Sequence, residues 1–169
     1  MISATDRISQ FAEALHAAQG EIAYLDSWDE LWDFAASLGD DVPVVSPAAH
    51  GFLRRGELPD ADDPLRSIAD RLVGITVAAL GVAETGSLLL IERAPIDRAV
   101  SLLTRHLIVA VGQDDIVDDL ADGFRWLADQ PRAAAYATFV TGPSRTADIE
   151  RSLTIGVQGP SRLTAAVLT

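Results

Sequence analysis

Three short polar turns hold the residues best suited to chemistry: Ala83-Glu84-Thr85-Gly86-Ser87, Thr141-Gly142-Pro143-Ser144-Arg145-Thr146 and Gly156-Val157-Gln158-Gly159-Pro160. In the first, Glu84 sits between an apolar run and a glycine. A carboxylate so placed is expected to be partly desolvated, which suits it to act as a nucleophile or base. The alternative is a glutamate tied to backbone N–H groups or to an arginine. In the second, a Gly-Pro turn precedes ADIERSL, which reads as a short helix. The first turn of a helix carries unpartnered N–H groups and a partial positive charge. Ser144 and Thr146 add hydroxyls there, and Arg145 adds a planar charged fork. Together with Thr141 and Gly142 they suit a small carboxylate or phosphate. The plainer alternative makes Thr146 an N-cap and pairs Arg145 with Asp148 or Glu150. The third turn is either a second backbone nest, with Gln158 as amide donor and acceptor beside Gly159, or a simple connection.

In open α/β sheets, ligands sit beyond the carboxyl ends of strands. The elements that must position these turns follow from periodicity. Residues 1–19 carry Ile8, Phe11 and Leu15 at helical spacing. EIAYL (21–25) reads as a strand. DSWDELWDFAASLG reads as a helix capped by Asp26 or Ser27, with Leu31, Phe34 and Leu38 inward and Gly39 at its end. VPVVSP (42–47) is a predicted strand, and 48–66 is loop with some helix. LVGIT (72–76), SLLLIE (87–92) and HLIVAVG (106–112) read as strands, the last apolar enough to be covered on both faces. Residues 113–130 read as one amphipathic helix, with Ile116, Val117, Leu120 and Leu127 on one face and Asp114 and Asp115 at its start. AAAYATFV (133–140), TIGVQGP and LTAAVLT supply the last strands. This alternation predicts a single α/β domain over residues 1–169, with a mostly parallel sheet and helices on both faces.

Composition narrows the chemistry. The chain has 169 residues, 49% of them hydrophobic, which is ample for a packed core. It has no cysteine, so thiol nucleophiles, iron–sulfur ligation and thiolate zinc sites are excluded from it. All 13 basic residues are arginine, so lysine-based phosphate binding and Schiff-base chemistry are excluded too. A net charge of −12 opposes nucleic acid and anionic lipid. The N-terminus lacks the order of a signal peptide, and the longest apolar run has 12 residues, against roughly 20 for a spanning helix. No nucleic-acid partner and no membrane insertion are expected, and the location is expected to be cytoplasmic. Asp60, Asp62 and Asp63 lack the glycine that a calcium loop needs, Leu65 standing in its place. His16, His50 and His106 show no metal spacing, Asp118, Asp119 and Asp122 read as a solvated face, and Trp28, Trp32 and Trp126 read as packing residues.

With the turns in view, GITVAALGVAETGSLLL (74–90), SLLTRHLIVAV (101–111) and above all FVTGPSRTADIERSLTIGVQGP (139–160) resemble the LUD domain, the lactate-utilisation protein C family. The resemblance covers roughly the C-terminal 100 residues, in the expected strand–helix order; residues 1–60 match only in general pattern. It implies the fold of the sugar-phosphate isomerases and CoA transferases. It also implies a place in a three-protein system oxidising L-lactate to pyruvate, whose other two members are iron–sulfur proteins. This chain would be the cluster-free subunit, with no cofactor of its own and iron–sulfur clusters on its partners. The family pattern carries over to Glu84, Thr85 and Gly86, to Thr141, Gly142, Pro143, Ser144, Arg145, Asp148 and Glu150, and to Gly156, Gly159 and Pro160. Two positions depart: Gln158 stands where the family usually has histidine, and Ala79 where it usually has aspartate. Both changes remove an ionisable group. Ala83-Glu84-Thr85-Gly86 also resembles the Ser-Glu-Asn-Gly turn whose glutamate is the CoA-transferase nucleophile, without a further signature of that class. Two functions are therefore expected to compete. One is a non-catalytic subunit that binds a small anion or a partner's acidic segment at Ser144–Arg145. The other is an enzyme acting on an acyl or phosphorylated substrate through Glu84.

Overall fold

The computed structural model describes residues 3–60, 62–68, 71–130, 136–147, 153–155 and 159–169, with the backbone alone at Pro64, Arg145–Ala147 and Leu153–Ile155. A five-stranded, all-parallel sheet forms its centre. The middle strand β6 (His106–Gly112) lies between β11 (Arg162–Leu168) and β3 (Val73–Val77). Edge strands β1 (Glu21–Leu25) and β2 (Val44–Val45) complete the order β1-β11-β6-β3-β2.

Side-chain alternation explains the layers. Leu107, Val109 and Val111 of β6 face one side with Leu163, Ala165 and Val167 of β11; Ile108, Ala110 and Ala166 face the other, and all are buried. Two apolar faces need two covers. On the first side, α1 (Ala4–Ala17) lays down Phe11 and Leu15, both fully buried. On the second, α2 (Trp28–Ala36) and α3 (Pro47–Leu53) contribute Leu31, Ala35, Ala49 and Leu53. Their starts are fixed by side-chain oxygens. Ser27 accepts from the Glu30 N–H, Ser46 accepts from the Ala49 N–H, and Pro47 follows where a missing N–H is harmless.

A second sheet shares the α1 side. Strands β4 (Leu80–Val82) and β5 (Ser87–Ile91) form a hairpin, β8 (Ala137–Val140) pairs antiparallel with β5, and β7 (Ile116–Val117) pairs parallel with β4. Leu88 and Leu90 face the core under α1. Leu80, Val82 and Leu89 face outward onto α6 (Leu120–Ala128), where Leu120 and Trp126 meet them. Helices α4 (Pro64–Ile68) and α5 (Pro95–Leu103) close the β2–β3 end through Ile68, Ala99 and Val100. Strands β9 (Arg145–Ala147) and β10 (Leu153–Ile155) make a separate antiparallel pair.

Several expectations need correction. Residues 113–130 are not one helix. Ile116 and Val117, a β-branched pair, join β4 opposite Gly81 and Val82, and Asp119 then caps α6 by accepting from the Asp122 N–H at 2.7 Å. Asp114 and Asp115 sit in a single 3-10 turn. The helix expected from Ala147 onward does not begin there. The chain leaves Pro143 extended, with the Ser144 N–H donated to the Pro160 carbonyl at 2.9 Å and residues 145–147 paired to 153–155. A backbone committed to strand pairing offers no helix start, and so no helix dipole, at Arg145. Residues 148–152 and 156–158, including Asp148, Glu150, Gly156 and Gln158, lie outside the described residues. Of the predicted strand 42–47, only Val44–Val45 pairs; α5 was not anticipated.

Candidate functional site

The first two polar turns do meet. Pairing of Leu88 with Val140 brings the ends of β5 and β8 together. The Ser87 hydroxyl then lies 2.5 Å from that of Thr141 and 2.7 Å from that of Thr85. Ser87 is buried, so this chain of three hydroxyls satisfies a polar group inside an apolar layer. The glycines of both turns serve α1. Gly86 (φ +65) and Gly142 (φ +67) occupy the left-handed region. A Cβ on Gly86 would lie 2.3 Å from the Leu15 nitrogen, and one on Gly142 would lie 2.2 Å from the Ala18 carbonyl. They admit the end of a helix where close approach of a ligand was expected.

Glu84 faces elsewhere. It is exposed, so the desolvation expected of it is missing. Its N–H donates to the Asp118 carbonyl at 3.0 Å, and its carboxylate accepts from the Leu120 N–H at 3.2 Å. This is the glutamate tied to backbone N–H groups. At the first turn of α6 its charge also meets the positive end of the helix.

A cavity of about 300 Å³ lies on the other side of the 141–144 turn. Thr141, Gly142, Pro143 and Ser144 form one wall, and Gly159 and Pro160 another. Those last two lead directly into β11, whose second residue, Leu163, also lines the space. The cavity is therefore at the amino end of β11, not beyond the carboxyl ends of the parallel strands as expected. Its size suits a small molecule. Leu90, Leu102 and Val140 make it largely apolar, and Glu84 is not among its lining residues.

The group that stands out in this wall is Glu92, the last residue of the predicted strand SLLLIE (87–92). It is 4% exposed and accepts a short hydrogen bond from Ser101 of α5. Burial pushes its carboxyl above the usual range, Ser101 and Arg98 pull it down, and Asp97 adds to the rise. Arg98 itself lies over the Tyr136 ring, 4.9 Å from its centre, at the cavity edge. The available signal was a charge ending the apolar run SLLLI, but nothing local showed that α5 would fold back and place Ser101 beside it.

A second buried ionisable group, His106, begins β6. Its Nε2 is 2.7 Å from the Thr164 hydroxyl, which donates to Glu21 at 3.2 Å; Arg162 grips Glu21 with two nitrogens. Since Thr164 gives its hydrogen to Glu21, His106 Nε2 is the donor to Thr164. Burial lowers the His106 pKa, Arg162 adds to the lowering and Glu21 opposes it. This network ties β1, β11 and β6 together, and none of its four side chains lines the cavity. Among the described residues, no three His, Asp or Glu side chains gather as metal ligands would, and no helix is long and apolar enough to cross a membrane. The side chains of Arg145 and Thr146 lie outside the described ones.

The turns, the hairpin and the strand that carry this site fall within residues 55–168, which match the model of the LUD domain. The chain belongs to the LUD domain family. This LUD domain is 36% identical over 140 residues to lactate utilization protein C of Deinococcus radiodurans, covering 79% of the chain and 66% of that protein. It is 31% identical over 145 residues to the protein of the same name from Geobacillus thermodenitrificans, covering 82% and 58%. With that of Shouchella clausii it shares 38% identity over 96 residues, 55% of the chain and 41% of the relative. The LUD domain thus spans about half of some relatives and two thirds of others at most. Its fold matches the crystal structure of a DUF162 family protein from Deinococcus radiodurans along the full length of both chains, with a TM-score of 0.73 at 21% identity.

Proposed function

We propose that this LUD domain serves lactate utilisation, as a cluster-free subunit that holds a small carboxylate in the cavity between the second sheet and α5. One observation carries the reading. The two stretches most specific to the family, Thr141–Ser144 and Gly159–Pro160, converge as walls of one concave space. The names of the relatives supply the substrate class. Thr141 and Ser144 offer hydroxyls, and Arg145 follows Ser144 directly in the chain. The absence of cysteine leaves electron transfer to partners, for which iron–sulfur proteins are the proposed class.

The direct test is titration of the chain with L-lactate, followed by backbone chemical shifts. Shifts centred on residues 138–144 and 159–163 support the reading; shifts elsewhere, or none, end it. Arg145→Ala is expected to weaken binding by about 1.5–3 kcal/mol, the usual range for a charged hydrogen bond. For the assembly, co-expression with iron–sulfur proteins of a lactate-utilisation system should give a complex that survives gel filtration. Normal growth on L-lactate after deletion would overturn that part.

A further inference from the structure

Glu92 is the only carboxyl group lining the cavity among the described residues. Its contact with Ser101 poses a question of hydrogen counting. The Ser101 hydroxyl lies within hydrogen-bond reach of both the Glu92 carboxyl and the Arg98 carbonyl, the latter at 3.1 Å. A hydroxyl has one hydrogen. The contact with Glu92 is the shorter, so Ser101 donates its hydrogen to one Glu92 carboxyl oxygen. That leaves the second carboxyl oxygen for a ligand. A carboxylate ligand can only accept, so a hydrogen bond there needs a hydrogen on that oxygen, which a carboxylic acid has and a carboxylate lacks.

The surroundings agree. The charges facing Glu92 are Arg98 and Asp97, both on α5 and opposite in sign. From the residue before β8, from β8 itself and from the 141–144 turn, the cavity receives Tyr136, Thr138, Thr141 and Ser144, none of them a carboxylate or a cation. Burial raises the cost of ionising the group. An ionised Glu92 would also repel a carboxylate within the same small space.

We infer that Glu92 is a proton-carrying ligand residue of the cavity, which admits a small carboxylate while Glu92 is uncharged and takes up a proton as that ligand binds. This rests on the cavity being the ligand site proposed above. The one bond made is the O–H of Glu92, its proton coming from solvent; no bond of the ligand changes.

Calorimetric titration with L-lactate, in two buffers of different ionisation enthalpy, reads the proton directly. The natural chain should take up a proton on binding, and its affinity should fall by about tenfold per pH unit above the Glu92 midpoint. Glu92→Gln, uncharged at every pH, should bind and lose both effects. Binding by Glu92→Gln with the pH dependence unchanged, or loss of binding in a variant that melts normally, would overturn the inference while leaving the cavity in place. If the natural chain binds no L-lactate at any pH, the ligand site itself falls and the inference with it. Should Glu92→Gln fail to fold, carbon-13 NMR of the Glu92 carboxyl in the natural chain decides: its midpoint must rise when L-lactate is added, and a fixed midpoint refutes the coupling.

Discussion

His106 and Glu92 are 3% and 4% exposed, and each rests against a hydroxyl. There the likeness ends. His106 leads into a closed network, in which Thr164 and Glu21 are engaged in turn and Arg162 completes the ion pair. Glu92 leads to Ser101 on one side and to an open space on the other. Burial alone therefore does not mark a site. A buried ionisable group whose partner is itself held in an ion-paired network holds strands together, and one on a cavity wall is available to something from outside.

The contrast supposes that both groups belong to one cooperative core, and the largest expected effect tests that. Phe11 is fully buried against residues of both sheets. Phe11→Ala should cost about 3–5 kcal/mol in denaturant unfolding, with a single transition. Two separate transitions would mean that the sheets unfold independently. Next comes His106→Ala, which leaves the buried Thr164 hydroxyl without its donor. It should cost about 1–3 kcal/mol while L-lactate affinity stays unchanged at fixed pH. A loss of affinity instead would assign the network to the site. Glu92→Gln keeps the shape and should shift stability by less than about 1 kcal/mol, with its effect on ligand binding alone. The smallest effect is in the pH dependence of melting, where the two groups pull in opposite directions. The folded chain holds His106 below its ordinary value of 6.5, so on acidification through that value the unfolded chain gains a proton first and stability falls. It holds Glu92 above its ordinary value of 4.5, so as pH rises past that value the unfolded chain loses a proton first and stability again falls. His106→Gln should flatten the first slope and Glu92→Gln the second. Interchanged slopes would reverse the comparison.

Much of the central sheet was legible because its signals are local. HLIVAVG coincides with β6 (His106–Gly112), and EIAYL with β1. Ser27, one of two caps considered, is the one that bonds. Failures came where a distant partner decided. Ile116 and Val117 have helical spacing with Leu120, yet β4 recruits them as a strand. The 145–147 segment follows a Gly-Pro turn as a helix often does, yet residues 153–155 offer it a ladder. At the site, Thr141, Ser144 and Gly159 were readable from turn chemistry, and they do line one cavity. Glu92 was not, since its meaning depends on Ser101, nine residues on and across a helix start. Glu84 had the right flanks but the wrong exposure, because the hairpin projects it toward α6.

Residues that resemble a family and residues that must fold together need not coincide. The LUD match begins at residue 55, but Phe11 and Leu15 roof the sheet, and β1 forms one border of it by pairing with β11. A fragment cut at that point would bare the greasy side of β6 and β11, leave an unpaired strand edge on β11, and empty the two notches that Gly86 and Gly142 keep for α1. Such a piece is expected to self-associate when produced alone. Anyone trimming this protein for expression should keep the leading helix and first strand attached.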